Sequence, residues 1–135
     1  MNMTFKDSDG KDQAVHLGSY GIGISRVMGV VAEIFSDDKG LIWPESIAPA
    51  KFHLVSIGDV SKQAHEVYSK LEEMGHKVIY DDRDLQAGEK LADADLLGIP
   101  TRLVISQKSL DEGGIEVKRR DSDEAKIQDL DLSWV

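Results

Sequence analysis

Residues 51–106 read KFHLVSIGDVSKQAHEVYSKLEEMGHKVIYDDRDLQAGEKLADADLLGIPTRLVIS, and this stretch decides the fold class. Residues 52–57 form a short β-branched, apolar run stopped by Gly58, which predicts a strand. Asp59 or Ser61 then offers an oxygen to cap a helix. Ala64, Val67, Tyr68, Leu71 and Met74 recur at helical spacing, with Lys62, Glu66, Lys70 and Glu73 on the opposite face. Gly75 suits the left-handed residue that closes such a helix. Residues 78–80 predict a second strand, 88–97 a second helix closed by Gly98, and 102–106 a third strand. Strand, helix, strand, helix, strand at this spacing implies parallel strands with right-handed crossovers. Gly113 and Gly114 turn the chain into 115–118, an expected antiparallel partner for the third strand. The predicted class is α/β, with a mixed, mainly parallel sheet and no internal repeat.

Upstream, an apolar run at 14–17 feeds residues 18–26, GSYGIGISR, and a long apolar segment, 27–35, leaves them. The pattern predicts a strand over 14–20, a glycine-rich turn, and a helix from 22 to about 35 with Arg26 in its first turn. Glycines let a ligand approach the main chain closely. A helix start presents free N–H groups and a partial positive charge to an anion, and an arginine adds a bidentate phosphate contact. The plain alternative is a strand–helix corner whose arginine faces water. A dinucleotide-binding fingerprint is excluded, because Arg26 stands at its third glycine and no βαβ unit follows within thirty residues. The helix is apolar on nearly every side, so it must be buried on several faces. Residues 1–40 offer little to cover it, and its neighbours are expected outside this chain. Asp9-Gly10 reads as a hairpin turn. Pro44 and Pro49 mark a semi-rigid connection, in which Trp43 is expected to serve packing.

The chain has 135 residues, a net charge of −9 and no cysteine. That length holds one domain, or one small domain and a piece of another. Without cysteine there is neither a disulfide frame nor a thiolate metal site. No apolar run approaches membrane-spanning length and the first residues are polar, so a soluble intracellular protein is expected. The acidic balance argues against a broad electrostatic grip on nucleic acid, so any RNA contact must be local and base-directed. The histidines have no ligand spacing and none is assigned to metal; His65 and His76 are expected at the surface.

Two groups of polar residues stand where ligands of open α/β sheets gather, at the carboxyl ends of strands. Asp82 and Arg83 follow the second strand, and Lys90 lies in the first turns of the next helix. An Asp-Asp-Arg turn is otherwise a solvated loop with a weak internal ion pair. Glu116, Lys118 and Arg120 alternate and therefore share one face of the last strand, with Arg119 on the other. They could be the charged, aggregation-resistant face of an edge strand. They could also read bases: Arg or Lys donates to guanine O6 and N7, and a carboxylate accepts from Watson–Crick N–H groups.

Residues 18–26 resemble motif 3 of the class II aminoacyl-tRNA synthetases. The run from GSYGIGISR through GLIWPESIAP resembles, more narrowly, the prolyl-tRNA synthetases of bacterial and organellar type. YDDRDLQAGEKLADADLLGIPTRLVIS is similar to the anticodon-domain core of that family, through Asp82, Arg83, Gly88, Lys90, Asp93, Leu97, Gly98, Ile99, Pro100 and Arg102. Leu91 departs from the phenylalanine common there. Threonyl, glycyl and histidyl enzymes share the domain, but DDR with GIP fits the prolyl enzymes best. The resemblance implies a three-layer α/β/α anticodon-binding domain over 51–135, a linker at 43–50, and a strand–helix remnant of the catalytic domain over 1–42. The family's closing helix is expected to be cut short or replaced, since the chain ends in the acidic DSDEAKIQDLDLSWV.

For function, the resemblance implies a proline–tRNA ligase that uses ATP and Mg²⁺ to attach proline to tRNA(Pro), cytoplasmic or in the mitochondrial matrix, and a homodimer when complete. Arg26, with Gly21 and Gly23, would contact ATP, and Gly18 and Ser19 would line the amino-acid pocket. Asp82, Arg83, Lys90, Arg102, Glu116, Lys118 and Arg120 would meet the anticodon. Motifs 1 and 2 have no counterpart here, so the chain alone is expected to be inactive. The alternatives are a non-catalytic RNA-binding accessory module on the same domain, and a paralogue for another amino acid.

Overall fold

A computed structural model describes residues 3–135. The chain opens with an antiparallel hairpin, β1 (Thr4–Lys6) and β2 (Asp12–Ala14). Its turn is tied by Asp7, whose Oδ1 accepts from the backbone N–H groups of Asp9 and Lys11, each at 3.0 Å. Helix α1 (Ile24–Ile34) follows, then a second small hairpin, β3 (Ser36–Asp37) and β4 (Gly40–Leu41). The remaining elements are β5 (Phe52–Ile57), α2 (Ser61–Glu73), β6 (Val78–Asp81), α3 (Ala87–Leu97), β7 (Thr101–Ser106), α4 (Gln107–Asp111), β8 (Ile115–Arg119) and β9 (Ala125–Gln128). The last five strands form one sheet in the order β6-β5-β7-β8-β9. β6, β5 and β7 run parallel, and β8 and β9 add antiparallel strands.

β5 is an interior strand with both faces covered, which is why it reads as a continuous apolar run rather than an alternation. Phe52 and Leu54 face α2 and pack with Val60, Ala64, Val67, Leu71, Leu103, Ile105 and Ile115. Val55 faces the other way, against Ala94 of α3 and Val104. Helices on both faces give the expected three layers. At the end of α2 the N–H of Gly75 donates to Glu72 O at 2.8 Å and that of His76 to Leu71 O at 3.0 Å. That paired closure needs a left-handed residue, and Gly75 has φ +83°.

Several sequence expectations are corrected. The strand over 14–20 stops at Ala14, and residues 15–23 are irregular and almost wholly exposed. A strand needs a neighbour for its backbone hydrogen bonds. Here β1 is the available neighbour, and the last hydrogen bond along the hairpin runs from Val15 N–H to Met3 O. α1 forms, but it has no buried residue, and Ile24, Val27, Met28, Val30 and Ile34 are exposed. Neither Asp59 nor Ser61 caps α2, whose N-cap is Val60. The helix α4 was not anticipated; its first turn is closed by Ser106 and Ser109, each hydroxyl accepting from the other's backbone N–H. His76 is half-buried, edge-on to Phe52 at 5.4 Å.

The connection at 36–43 docks on α3. Trp43 Nε1 donates to Leu97 O at 3.0 Å, and the Trp43 N–H to Gly98 O at 3.1 Å. At the other end of the chain, β9 replaces the expected helix. Leu132 is buried against the α2-side core with Leu130, Trp134 and Val135 beside it.

Candidate nucleic-acid interface

Strand register decides which polar residues meet. On the α3 side of the sheet, His53, Arg102 and Lys118 lie in one cross-strand row over β5, β7 and β8. Asp81, Val55, Val104 and Glu116 make the next row. α3 covers Val55 and Val104, leaving Glu116 and Lys118 beside it. Arg120 follows at the end of β8, where its Nε donates to Asp95 O at 2.9 Å. Arg119 points away, to Glu45 at 2.8 Å and Asp121 at 3.0 Å.

Lys118 and Arg120 line a cleft of about 340 Å³, closed by Asp37, Asp38 and Lys39 of the second hairpin, Asp95 of α3, and Asp121, Ser122 and Asp123. Its cations are already matched. The Arg120 guanidinium is bidentate to Asp37, at 2.6 and 2.8 Å, and holds that carboxyl well below the usual carboxylate range. Arg102 pairs with Asp95 at 2.8 Å, and Lys118 approaches Asp123 at 4.0 Å. Glu116 makes no ion pair among the described residues. A neutral base edge can enter such a cleft more easily than a phosphate, which would meet its acidic rim.

The other three expected contacts are elsewhere. Asp82, Arg83 and Lys90 border a smaller space of about 220 Å³ at the carboxyl ends of β5 and β6, with Ser56, Ser61 and Asp84. Asp82 is exposed. Arg83 is clamped by Asp81, through Nε at 2.9 Å and Nη2 at 2.7 Å, and by Asp93 at 2.7 Å. Its hydrogen bonds hold the Asp81 carboxyl below the ordinary value of 3.8.

Lys90 lies inside the fold. It is 3% exposed, and its Nζ donates to Ser56 O at 2.7 Å and Asp81 O at 3.3 Å. Its ammonium ties the ends of two strands to α3. Its place four residues before buried Ala94, on one side of α3, was the signal for this. The Arg120 side chain is 6% exposed and spent on Asp37 and Asp95. Asp37 and Asp95 carry no sequence signal for this role; no local pattern links Asp37 to a residue 83 positions away.

The Arg26 corner is open. Gly23 is the N-cap of α1, and Arg26 stands in the first turn, exposed and without an ion pair among the described residues. Gly18, Ser19 and Gly21 are exposed in the irregular stretch before it.

Three parallel strands with helices on both faces and an antiparallel extension define a three-layer α/β architecture with a mixed sheet. Residues 47–133 match the family described as anticodon binding domain, and the chain belongs to that family. It is 44% identical to a proline–tRNA ligase of Bacillus cytotoxicus and 43% identical to one of Bacillus cereus. Each match covers 96% of this chain but 24% of the relative, so the chain spans about a quarter of their length. Among solved structures it superposes on Giardia lamblia prolyl-tRNA synthetase in complex with prolyl-adenylate, with TM-score 0.70 and 22% identity over 95% of this chain and 29% of that one. That likeness bears on the fold. No helix among the described residues is long and apolar enough to cross a membrane.

Proposed function

We propose that this chain is a portion of a proline–tRNA ligase of bacterial type, joining the motif 3 corner to the anticodon-reading module. In this reading 1–42 belongs to the catalytic domain, 43–50 is the linker and 51–135 reads tRNA(Pro). The observation that carries it is the continuous match over 96% of the chain, which takes in the Arg26 corner and the sheet together. ATP fits the corner, because an exposed arginine without a carboxylate partner at a helix start is suited to phosphate. Arg26 would hold the phosphates by charge, while Gly21 and Gly23 let them approach the main chain. Mg²⁺ would accompany the nucleotide. Gly18 and Ser19 would border the proline site, completed by residues outside this chain. The complete enzyme would be a homodimer working in the cytoplasm.

At the cleft, Glu116 accepts from guanine N–H groups and Lys118 donates to O6 or N7, while Arg120 and Arg102 hold the wall in place through Asp37 and Asp95. Asp82 and Arg83 supply a second, outlying contact. Binding of the chain to tRNA(Pro) should weaken by about 30-fold or more when the two anticodon guanines are replaced, from losses of about 1–3 kcal/mol per base contact. Equal binding to both RNAs would overturn the reading. The chain alone should give no proline-dependent ATP–pyrophosphate exchange above background.

A free-standing RNA-binding accessory module is the second reading. It is favoured by a core that closes without residues 3–35, none of which is buried. Both readings require the guanine-dependent binding. They separate when the chain is added to a ligase lacking this portion, because the first predicts restored exchange.

A further inference from the structure

β6 is one edge of the five-stranded sheet and pairs only with β5. Parallel strands bond through alternate residues, each turning its N–H and C=O to the same side. The Phe52 N–H donates to Lys77 O at 3.4 Å, and Phe52 stands opposite Val78. Lys77, Ile79 and Asp81 therefore bond to β5, and the backbone groups of Val78 and Tyr80 point outward. No loop or helix among the described residues takes them up. An open edge is a template for another strand unless something blocks it. The opposite edge, β9, carries Lys126, a common protection. β6 has neither lysine nor proline, and its first three residues, Val78, Ile79 and Tyr80, are apolar or aromatic.

The side chains flanking this edge are apolar on both faces of the sheet. On the α3 side, Ile79 lines a cavity of about 310 Å³ with Leu96 and Leu97, which are 60% and 46% exposed. On the α2 side, Tyr80 stacks on Tyr68 with ring centroids 5.6 Å apart, and His65 lies 6.3 Å away. The two ends of the strand differ in charge. Lys77 precedes it and is exposed, while Asp81 and Asp82 end it, with Arg83 offsetting one of them. An antiparallel copy of the same strand sets each lysine against the acidic end of the other. A parallel copy would set lysine on lysine. Two-fold symmetry then restricts the register, because one residue must face itself. Centred on Ile79, Val78 faces Tyr80 of the second copy, so outward groups meet outward groups, and Lys77 faces Asp81. Centred on Val78, Lys77 faces an isoleucine; centred on Tyr80, it faces Arg83.

We propose that β6 is an interface with a second copy of this chain, paired antiparallel about a two-fold axis through Ile79. The two sheets join edge to edge. Val78 and Tyr80 exchange their free N–H and C=O groups across the axis and form aromatic–β-branched side-chain pairs. The two Ile79 side chains meet beside Leu96 and Leu97. A four-residue strand buries little area, so the contact is reversible, with a dissociation constant of roughly 0.1–1 mM. The inference rests on the sheet alone and not on the assignment of the chain to a ligase.

The test follows translational diffusion and amide exchange by NMR on the 135-residue chain, at physiological salt to screen its net charge of −9. The chain is taken from about 50 µM to about 2 mM, a span that brackets the expected dissociation constant. Diffusion should slow toward that of a dimer. Exchange of the Val78 and Tyr80 amides should slow by about two- to seven-fold over the same range, the factor set by the fraction paired. The Ile79 amide, bonded to β5, should be protected throughout. Lys77→Glu should weaken association by about ten-fold, since it replaces two favourable cross-strand pairs with repulsion. Lys108→Glu makes the same change of charge on exposed α4 and should leave association unchanged. Diffusion constant up to about 2 mM overturns the proposal. So does association that leaves the Val78 and Tyr80 amides unaltered, which would put the contact on exposed α1, or that both substitutions weaken equally.

Discussion

At the residue scale, Lys90 and Arg83 show how one segment yields opposite outcomes for two cations. Lys90 is sealed behind α3, where its ammonium satisfies two carbonyls. Lys90→Met keeps the volume but leaves Ser56 O and Asp81 O short of a donor. The variant should lose about 1–3 kcal/mol in urea unfolding, with RNA affinity unchanged while folded. Arg83 acts through Asp81, a buried carboxylate whose pKa is depressed in the folded chain. A depressed carboxylate stabilises the fold above its unfolded pKa and loses that contribution as pH falls through the folded value. The melting temperature should therefore fall below about pH 4. In Arg83→Met the unpaired carboxyl titrates higher, so the gap between the two proteins should be widest near neutrality and close in acid. A gap independent of pH would contradict the coupling.

At the element scale, two helix ends of the same type differ in what surrounds them. Gly75 after α2 and Gly98 after α3 both adopt left-handed backbone, with φ +83° and +70°. A Cβ at Gly75 would meet nothing within 4 Å, whereas one at Gly98 would run into the Leu41 carbonyl. Gly75→Ala should cost about 1 kcal/mol, the left-handed penalty alone. Gly98→Ala should cost more, about 2–4 kcal/mol, because it also pushes the second hairpin off α3. Chemical denaturation of both variants checks the difference. The sequence showed both glycines as helix stops, but the packing of residues 36–43 on Gly98 depends on a hairpin more than fifty residues upstream.

At the scale of the whole molecule, the chain divides into a part that closes a core and a part that does not. Residues 52–135 bury apolar side chains on both faces of the sheet, while α1 buries none. An eleven-residue helix without packing is marginal in water. Amides of α1 should exchange with solvent far faster than those of β5 and β7, by roughly a thousand-fold or more in protection. Hydrogen-exchange mass spectrometry or NMR reads this directly. Comparable protection would mean that α1 is covered in solution. RNA affinity should also depend weakly on salt, with a log–log slope of magnitude about 2 or less, since most cations near the cleft are already paired.

The order of strands and helices from 51 to 118, apart from the short α4, their parallel sense and the antiparallel addition were legible in the sequence. Apolar periodicity and glycine stops are local, and crossover handedness restricts the rest. The motif residues were legible one by one, and Lys118 could be placed on a face with Glu116 by alternation alone. The expected strand over 14–20 failed because a strand is stabilised by a neighbour, which periodicity does not supply. Only the tertiary structure decided that Lys90 lies inside, that Arg120 is held by Asp37, and that His53 is buried with an unpartnered ring nitrogen. Each of those outcomes depends on what distant segments bring to a side chain: a carbonyl, a carboxylate or nothing at all.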